Sequence, residues 1–290
     1  MNAFEKLHIH HEKLINTIKS LAHRAEENPA DTSLLLSYCN EFLVSHAEAE
    51  EVTLYTADDD TNFVNDMIHE HKEIKHSLDV IDAAFSRGEI LGLITEINNF
   101  MALLNNHFQE EENTLMPRIS KKMSEQELES LIAEAHQIES EKKKADVWSL
   151  FEYDHKRIDL NISQMQNSKG NVDKIKKYYS KIRSQLLKHI ELEETLLFTS
   201  FGEHATPDQM GPVQVMIAEH REIASYISTP ADRLDEAALS SIPTRSELVS
   251  KLAVHNKKEE LILYPMINRT LPRRERENVF KESFEQLTKV

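Results

Sequence analysis

The sequence predicts an all-α protein built as two tandem up-down four-helix bundles, and three observations predict it. A histidine, a glutamate four residues on and a second acid recur four times: His46, Glu50, Glu51; His107, Glu111, Glu112; His189, Glu193, Glu194; and His255, Glu259, Glu260. A further histidine (His11, His71, His155, His220) stands 35, 36, 34 and 35 residues upstream of these pairs. The intervals from one pair to the next upstream histidine are 25, 48 and 31 residues, so the longest falls in the middle and two hairpins make one duplicated domain. Third, only 5 Gly and 8 Pro occur in 290 residues, which favours long helices over turn-rich sheets.

Each helix follows from an apolar stripe at three- and four-residue steps. The first carries Leu7, His11, Leu14, Ile18 and Leu21; the second Leu35, Cys39, Phe42, His46, Glu50 and Leu54. The third carries Val64, Met67, His71, Ile74, Leu78, Ile81 and Phe85; the fourth Ile90, Ile94, Ile97, Met101, Leu104, His107, Glu111 and Leu115. In the second half the stripes begin with Phe151, His155, Ile158, Ile162 and Met165, then Ile175, Tyr178, Ile182, Leu186, His189 and Glu193. They continue with Val213, Met216, His220 and Ile223, and with Leu248, Leu252, His255, Glu259, Ile262 and Met266. Breakers at Asn28-Pro29, Arg87-Gly88, Ser168-Lys169-Gly170 and 228–243 supply the turns, and Ser124 with Glu127 and Thr244 with Glu247 read as capping boxes. A charged helix over 124–144 is expected to link the bundles, and Arg273 to Lys289 takes the equivalent place after the second. The expected division is a first bundle over 1–122, a link over 123–146 and a second bundle over 147–290, each bundle closing on itself.

Composition bounds the function. A net charge of −16 argues against nucleic acid and anionic membrane surfaces as partners. The single cysteine, Cys39, excludes an internal disulfide or a thiolate cluster and reads as a small core residue. No apolar run is long enough to span a bilayer, and the charged, histidine-rich start is unlike a secretion signal, so the expected setting is soluble and cytoplasmic.

Residues four apart on a helix lie about 40° apart around its axis, so each histidine–glutamate pair presents both groups on one face. A carboxylate on a buried stripe is costly without a compensating cation. Each half offers four such histidines and two glutamates, and mixed imidazole and carboxylate ligands suit iron or manganese, with zinc a further option. Two six-coordinate metals need roughly twelve positions; four imidazoles, two bridging carboxylates and a bridging oxygen fill about ten, leaving about one open position on each.

The order His, His-x-x-x-Glu, His, His-x-x-x-Glu resembles the hemerythrin-like, or HHE cation-binding, family, in two copies covering nearly the whole chain. The resemblance implies bundles of hemerythrin type with non-haem di-iron centres, oxo- or hydroxo-bridged. By position the first centre takes His11, His46, Glu50, His71, His107 and Glu111, and the second His155, His189, Glu193, His220, His255 and Glu259. Oxygen carriers of the family have a further histidine where this chain has Lys75 and Ala224, and His-x-x-x-x-Asp where it has His-x-x-x-Glu. The four-histidine, two-glutamate set is similar to the repair of iron centres di-iron proteins, although their amino-terminal cysteine-bearing domain is not in this sequence. That likeness implies reaction with dioxygen, peroxide or nitric oxide in oxidative or nitrosative stress. The alternatives are an iron or oxygen sensor acting through a protein partner, and iron storage and delivery.

The remaining candidates read as follows. Glu70 and Glu219, just before the third-helix histidines, are placed on an access path or proton relay. Glu51, Glu112, Glu194 and Glu260 turn away from the ligand face and suit solvated or outer roles. His10 competes with His11, while His8, His23, His69, His76, His136 and His204 lack repeat counterparts and read as surface residues. Tyr55, Tyr264 and Phe198 read as packing groups, the tyrosines with a second option in chemistry beside the metals.

Overall fold

The computed structural model describes residues 3–144, 146–244 and 246–290, and these are helical with no strand among them. The chain divides into two compact units, Met1–Lys144 and Ala145–Val290. The first unit contains α1 (Ala3–Glu27), α2 (32–52), α3 (Thr61–Ser86), α4 (90–120) and α5 (Glu125–Lys142). The second contains α6 (Val147–Asn167), α7 (172–204), α8 (Met210–Tyr226), the short α9 (Glu236–Ser241), α10 (247–270) and α11 (Arg273–Leu287). No helix among the described residues is long and apolar enough to cross a membrane.

Helix ends follow local chemistry. The Asp60, Asp146 and Asn171 side chains accept from the third backbone N–H of α3, α6 and α7, satisfying donors that have no partner in the first turn. Ser124 and Glu127 form the reciprocal capping box that starts α5. The other expected box falls on the Thr244 side chain, outside the described residues. Gly88 (φ +67°) and Gly170 (φ +84°) close the α3–α4 and α6–α7 turns in a conformation that side chains disfavour.

In the first unit α1 packs on α2 and α4, and α3 on α4. The charged helix α5 packs against α1 and α2, with Leu128 and Ile132 in the core and Glu125 accepting from the Ala3 N–H at 2.7 Å. In the second unit α6 packs on α7 and α10, α8 on α10, and α11 lies against α6 and α7. Segment 228–243 adds Ala231 and Leu239 to the core.

The stripes differ from the expected ones by single residues, and π-turns account for part of this. A π-turn closes i to i+5 bonds and so adds one residue to a turn. Such turns occupy Cys39–Leu43 in α2, Glu111–Leu115 in α4, Glu193–Leu197 in α7 and Glu259–Leu263 in α10. In α2 the turn buries Leu43 in place of Phe42, and in α10 it buries Leu263 and Ile267 in place of Ile262 and Met266. In α4, Leu93 and Phe100 are buried instead of Ile94 and Met101, because the run of three- and four-residue steps is phased by His107; in α7, Tyr179 replaces Tyr178.

Leu263→Ala is expected to destabilise the second unit by about 2–5 kcal/mol. Ile262→Ala, at a side chain 58% exposed, should stay within about 0.5 kcal/mol. Urea denaturation of both variants checks the register.

Candidate metal centres

The buried stripes of α1–α4 and of α6, α7, α8 and α10 each bring four histidines and two glutamates to one point of their unit. All twelve expected ligand residues are buried, none more than 8% exposed. In the first unit His11 Nε2 and His46 Nε2 lie 3.3 and 3.2 Å from Glu50 Oε1, and His107 Nε2 lies 3.3 Å from Glu111 Oε1. His71 Nε2 is 3.8 Å from the other Glu50 oxygen, and His11 Nε2 is 3.7 Å from Glu111 Oε2. Two groups with ligand atoms mutually within 4.8 Å result: His11, His46, Glu50, Glu111, and His71, His107, Glu50, Glu111. Both carboxylates therefore stand between two histidine pairs.

The second unit gathers its residues similarly, with Glu259 common to both of its groups. His220, His255, Glu193 and Glu259 form one group and His155, His189 and Glu259 another. Nε2 of His220 lies 3.1 Å from Glu193 and 3.5 Å from Glu259, and His189 Nε2 lies 3.4 Å from Glu193. His155 Nε2 meets His189 Nε2 at 3.1 Å.

Each of the eight buried histidines also faces a carboxylate with its other nitrogen. The second acids, expected in outer roles, reach across to a neighbouring helix: Glu51 to His71 (3.0 Å), Glu112 to His11 (3.3 Å), Glu194 to His220 (3.0 Å) and Glu260 to His155 (2.8 Å). Glu70 meets His107 at 2.8 Å and Glu219 meets His255 at 3.0 Å. An ionised carboxylate only accepts, so Nδ1 carries a proton and Nε2 is the nitrogen left to meet a cation once its own proton is displaced. Glu70 remains 39% exposed while bonded to His107, which connects that ring to solvent; Glu219 also pairs with Lys258.

The second-helix histidines differ between units, and their partners carry no repeat signal in the sequence. His189 Nδ1 is bonded to Asp154 at 2.9 Å, and Asp154 is backed by the fully buried Arg157 at 3.4 Å. Arg157 in turn donates to the Leu287 carbonyl of α11 at 3.3 Å. In the first unit His10 occupies the place of Asp154. The carboxylate nearest His46 Nδ1 is Glu139 of α5, at 3.6 Å, which also meets His10 Nε2 at 3.0 Å and Lys143 at 3.1 Å. His136, exposed as expected, has its ring 5.0 Å from that of His10.

The tyrosines do more than pack. Tyr55 donates to Glu111 at 2.7 Å and lies 3.1 Å from His71 Nε2; Tyr264 donates to Glu193 at 2.5 Å and lies 3.4 Å from His155 Nε2. Burial first, then the nearby carboxylates, raise both phenols well above their usual range. Phe198 has only its ring to offer, parallel to His220 with centroids 6.0 Å apart. Burial likewise raises the Cys39 thiol, which suits a core residue.

The donor set fits a cation. His46 Nε2, Glu50 Oε2 and Glu111 Oε2 in the first unit, and Glu193 Oε2, His220 Nε2 and Glu259 Oε1 in the second, are buried without a hydrogen-bond partner, all at these two points. Proton positions show the same unmet charge. Burial alone would lower His11, His107, His155 and His220, yet carboxylate contacts raise each to about 10. Burial and then the Glu111 charge raise Glu50 to about 8, while burial lowers His46 to about 4. Against burial, His107 and His11 keep Glu111 well below its usual range, as His155 and His220 do for Glu259.

The family model described as hemerythrin HHE cation binding domain matches residues 2–119, 62–145 and 146–267. No curated protein and no solved structure matches the chain.

Two results are expected. Imidazoles raised to about 10 hold their protons until a cation replaces them. Metal uptake should therefore release protons, and apparent affinity should rise from about pH 6 to about pH 9, as read in a pH-stat titration. Asp154→Asn removes the charge behind His189 and should weaken metal binding in the second unit about 10–100-fold, leaving the first unit's metal in place during chelator competition.

Proposed function

Because the chain belongs to the hemerythrin HHE cation-binding domain family, whose domains bind iron, we propose that it is a non-haem di-iron protein with one di-iron centre in each unit. In this reading each unit is an up-down four-helix bundle of hemerythrin type. The protein reacts with dioxygen, peroxide or nitric oxide, in an oxidative or nitrosative stress response in the cytoplasm. The observation that carries the reading is the position of Glu50 and Glu111, shared between the two histidine pairs of the first pocket. Shared carboxylates between paired histidines suit two adjacent cations better than one.

Iron in such a pocket supplies one-electron chemistry and an open position for a small ligand. The protein's residues supply the rest. His11, His46, Glu50, His71, His107 and Glu111 would hold the first pair, and His155, His189, Glu193, His220, His255 and Glu259 the second. The outer carboxylates fix the ring orientations and leave Nε2 free to bind. Tyr55 Oη and Tyr264 Oη each hold a proton within 2.7 Å of a ligand carboxylate, in reach of an oxygen-derived species that needs one. The four-histidine, two-glutamate set supports the likeness to the repair of iron centres proteins.

A sensor acting through a partner is the second reading, and Glu139 favours it. This residue lies on α5, outside the four ligand-bearing helices, and faces ligand His46. A helix so connected can report the state of the pocket to a binding partner.

Protein purified anaerobically without added metal should contain about four irons per chain, as two two-metal centres require. Elemental analysis giving mostly zinc, or one metal per unit, would overturn the proposal. Tyr55→Phe with Tyr264→Phe should slow oxidation of the iron-loaded protein by peroxide about tenfold or more at unchanged iron content, in line with loss of a proton donor; stopped-flow absorbance reads the rate.

A further inference from the structure

The two pockets differ in what lies beside them. In the first unit a cavity of about 210 Å³ opens between α2, α3 and α4 and reaches His46, His71 and His107. Its floor is apolar, built from Ile74, Leu78, Leu104 and Phe108. An apolar cavity of about 150 Å³ holds a benzene ring, so this one accommodates a body of roughly six to ten non-hydrogen atoms, well beyond a diatomic gas.

Lys72 and Lys75 share the rim with Glu48 and Glu51. Lys72 and Lys75 line the cavity, and neither has an ion-pair partner within 4.0 Å among the described residues. Of the two acids, Glu51 is bonded to His71 at 3.0 Å and also feels the Lys72 charge, and Glu48 faces Lys142 at 3.7 Å. Two ammonium groups outside any close ion pair, beside an apolar floor, are donors that a carboxylate could reach on a chain of net charge −16.

The equivalent positions of the second unit lack this chemistry. Ile190 stands where the cavity has Ala47 and is buried, adding three carbons at the wall. Ala224 replaces Lys75, and Arg221, in the place of Lys72, is paired with Glu194 at 2.7 Å.

We propose that the cavity of the first unit binds a small monocarboxylate with an apolar body, its carboxylate held by Lys72 and Lys75 and its body on the floor beside His71 and His107. The inference goes beyond the di-iron reading and holds for whichever metal fills the pocket.

Isothermal titration of the full chain as purified, with metal content measured on the same sample, tests the idea with hexanoate and benzoate as probes. One saturable site per chain is expected. 1-Hexanol should bind at least tenfold more weakly than hexanoate, and Lys72→Gln with Lys75→Gln should weaken hexanoate at least tenfold. Ala47→Ile, which copies the second unit, should abolish binding. These variants must keep the circular dichroism and metal content of the parent chain; the exposed lysine pair still decides the question if Ala47→Ile fails to fold. Absence of saturable binding, equal affinity for hexanol, two sites per chain, or unchanged affinity in the lysine variant would each overturn the proposal. Zinc in place of iron would sink the di-iron reading and leave this result standing.

Discussion

Carboxylates without a solvent shell dominate this molecule. Each unit buries two glutamates among four imidazoles, and a buried carboxylate is tolerated only where positive charge meets it. The outer carboxylates extend the same constraint outward. They polarise each imidazole from behind, so that eight rings present Nε2 inward with little freedom to turn. Helix phase, the π-turns beside ligand glutamates and the engagement of the acid after each pair all serve this arrangement.

The inner histidines and glutamates recur in both units, while the support for one ring differs. Behind His189 the second unit places Asp154 and Arg157 from within α6, and closes the group with a carbonyl of α11. Behind His46 the first unit places Glu139 from α5. The additional helix of each unit therefore supports the second-helix histidine differently, α5 through the Glu139 carboxylate beside His46 and α11 through the Leu287 carbonyl on Arg157. The charged helix after the first four is part of that unit's electrostatics as well as a connection.

Much of this was legible in the sequence because repetition filters chance. The twelve residues that gather at the two points were each identified by position in a fourfold pattern, and so were the helices that carry them. Features without a repeat partner stayed hidden. Glu139 sits in a charged stretch that resembles any solvated helix, and Asp154 aligns with His10, so no comparison between halves singles it out. The one-residue shift from Ile262 to Leu263 was invisible because a π-turn leaves no distinct composition; it arises where a ligand glutamate must be held in place. Tyr55 and Tyr264 had the spacing of packing residues, and only the fold places their hydroxyl groups against Glu111 and Glu193.

Those two phenols carry a consequence for how the halves correspond. Tyr55 follows the second helix of its unit, in the turn Leu54–Ala57, and reaches the third and fourth, whereas Tyr264 belongs to the fourth and reaches the first and second. Overlaying the units in chain order sets Tyr55 on Phe198 and Tyr264 on Met116. Overlaying them after a rotation by one hairpin sets phenol on phenol. Because the histidine and histidine–glutamate pattern repeats within each unit, both overlays match the six buried histidines and glutamates, but only the rotated one matches the hydroxyl groups. Hence the part of each pocket next to the phenol is assembled from non-corresponding segments of the chain in the two units.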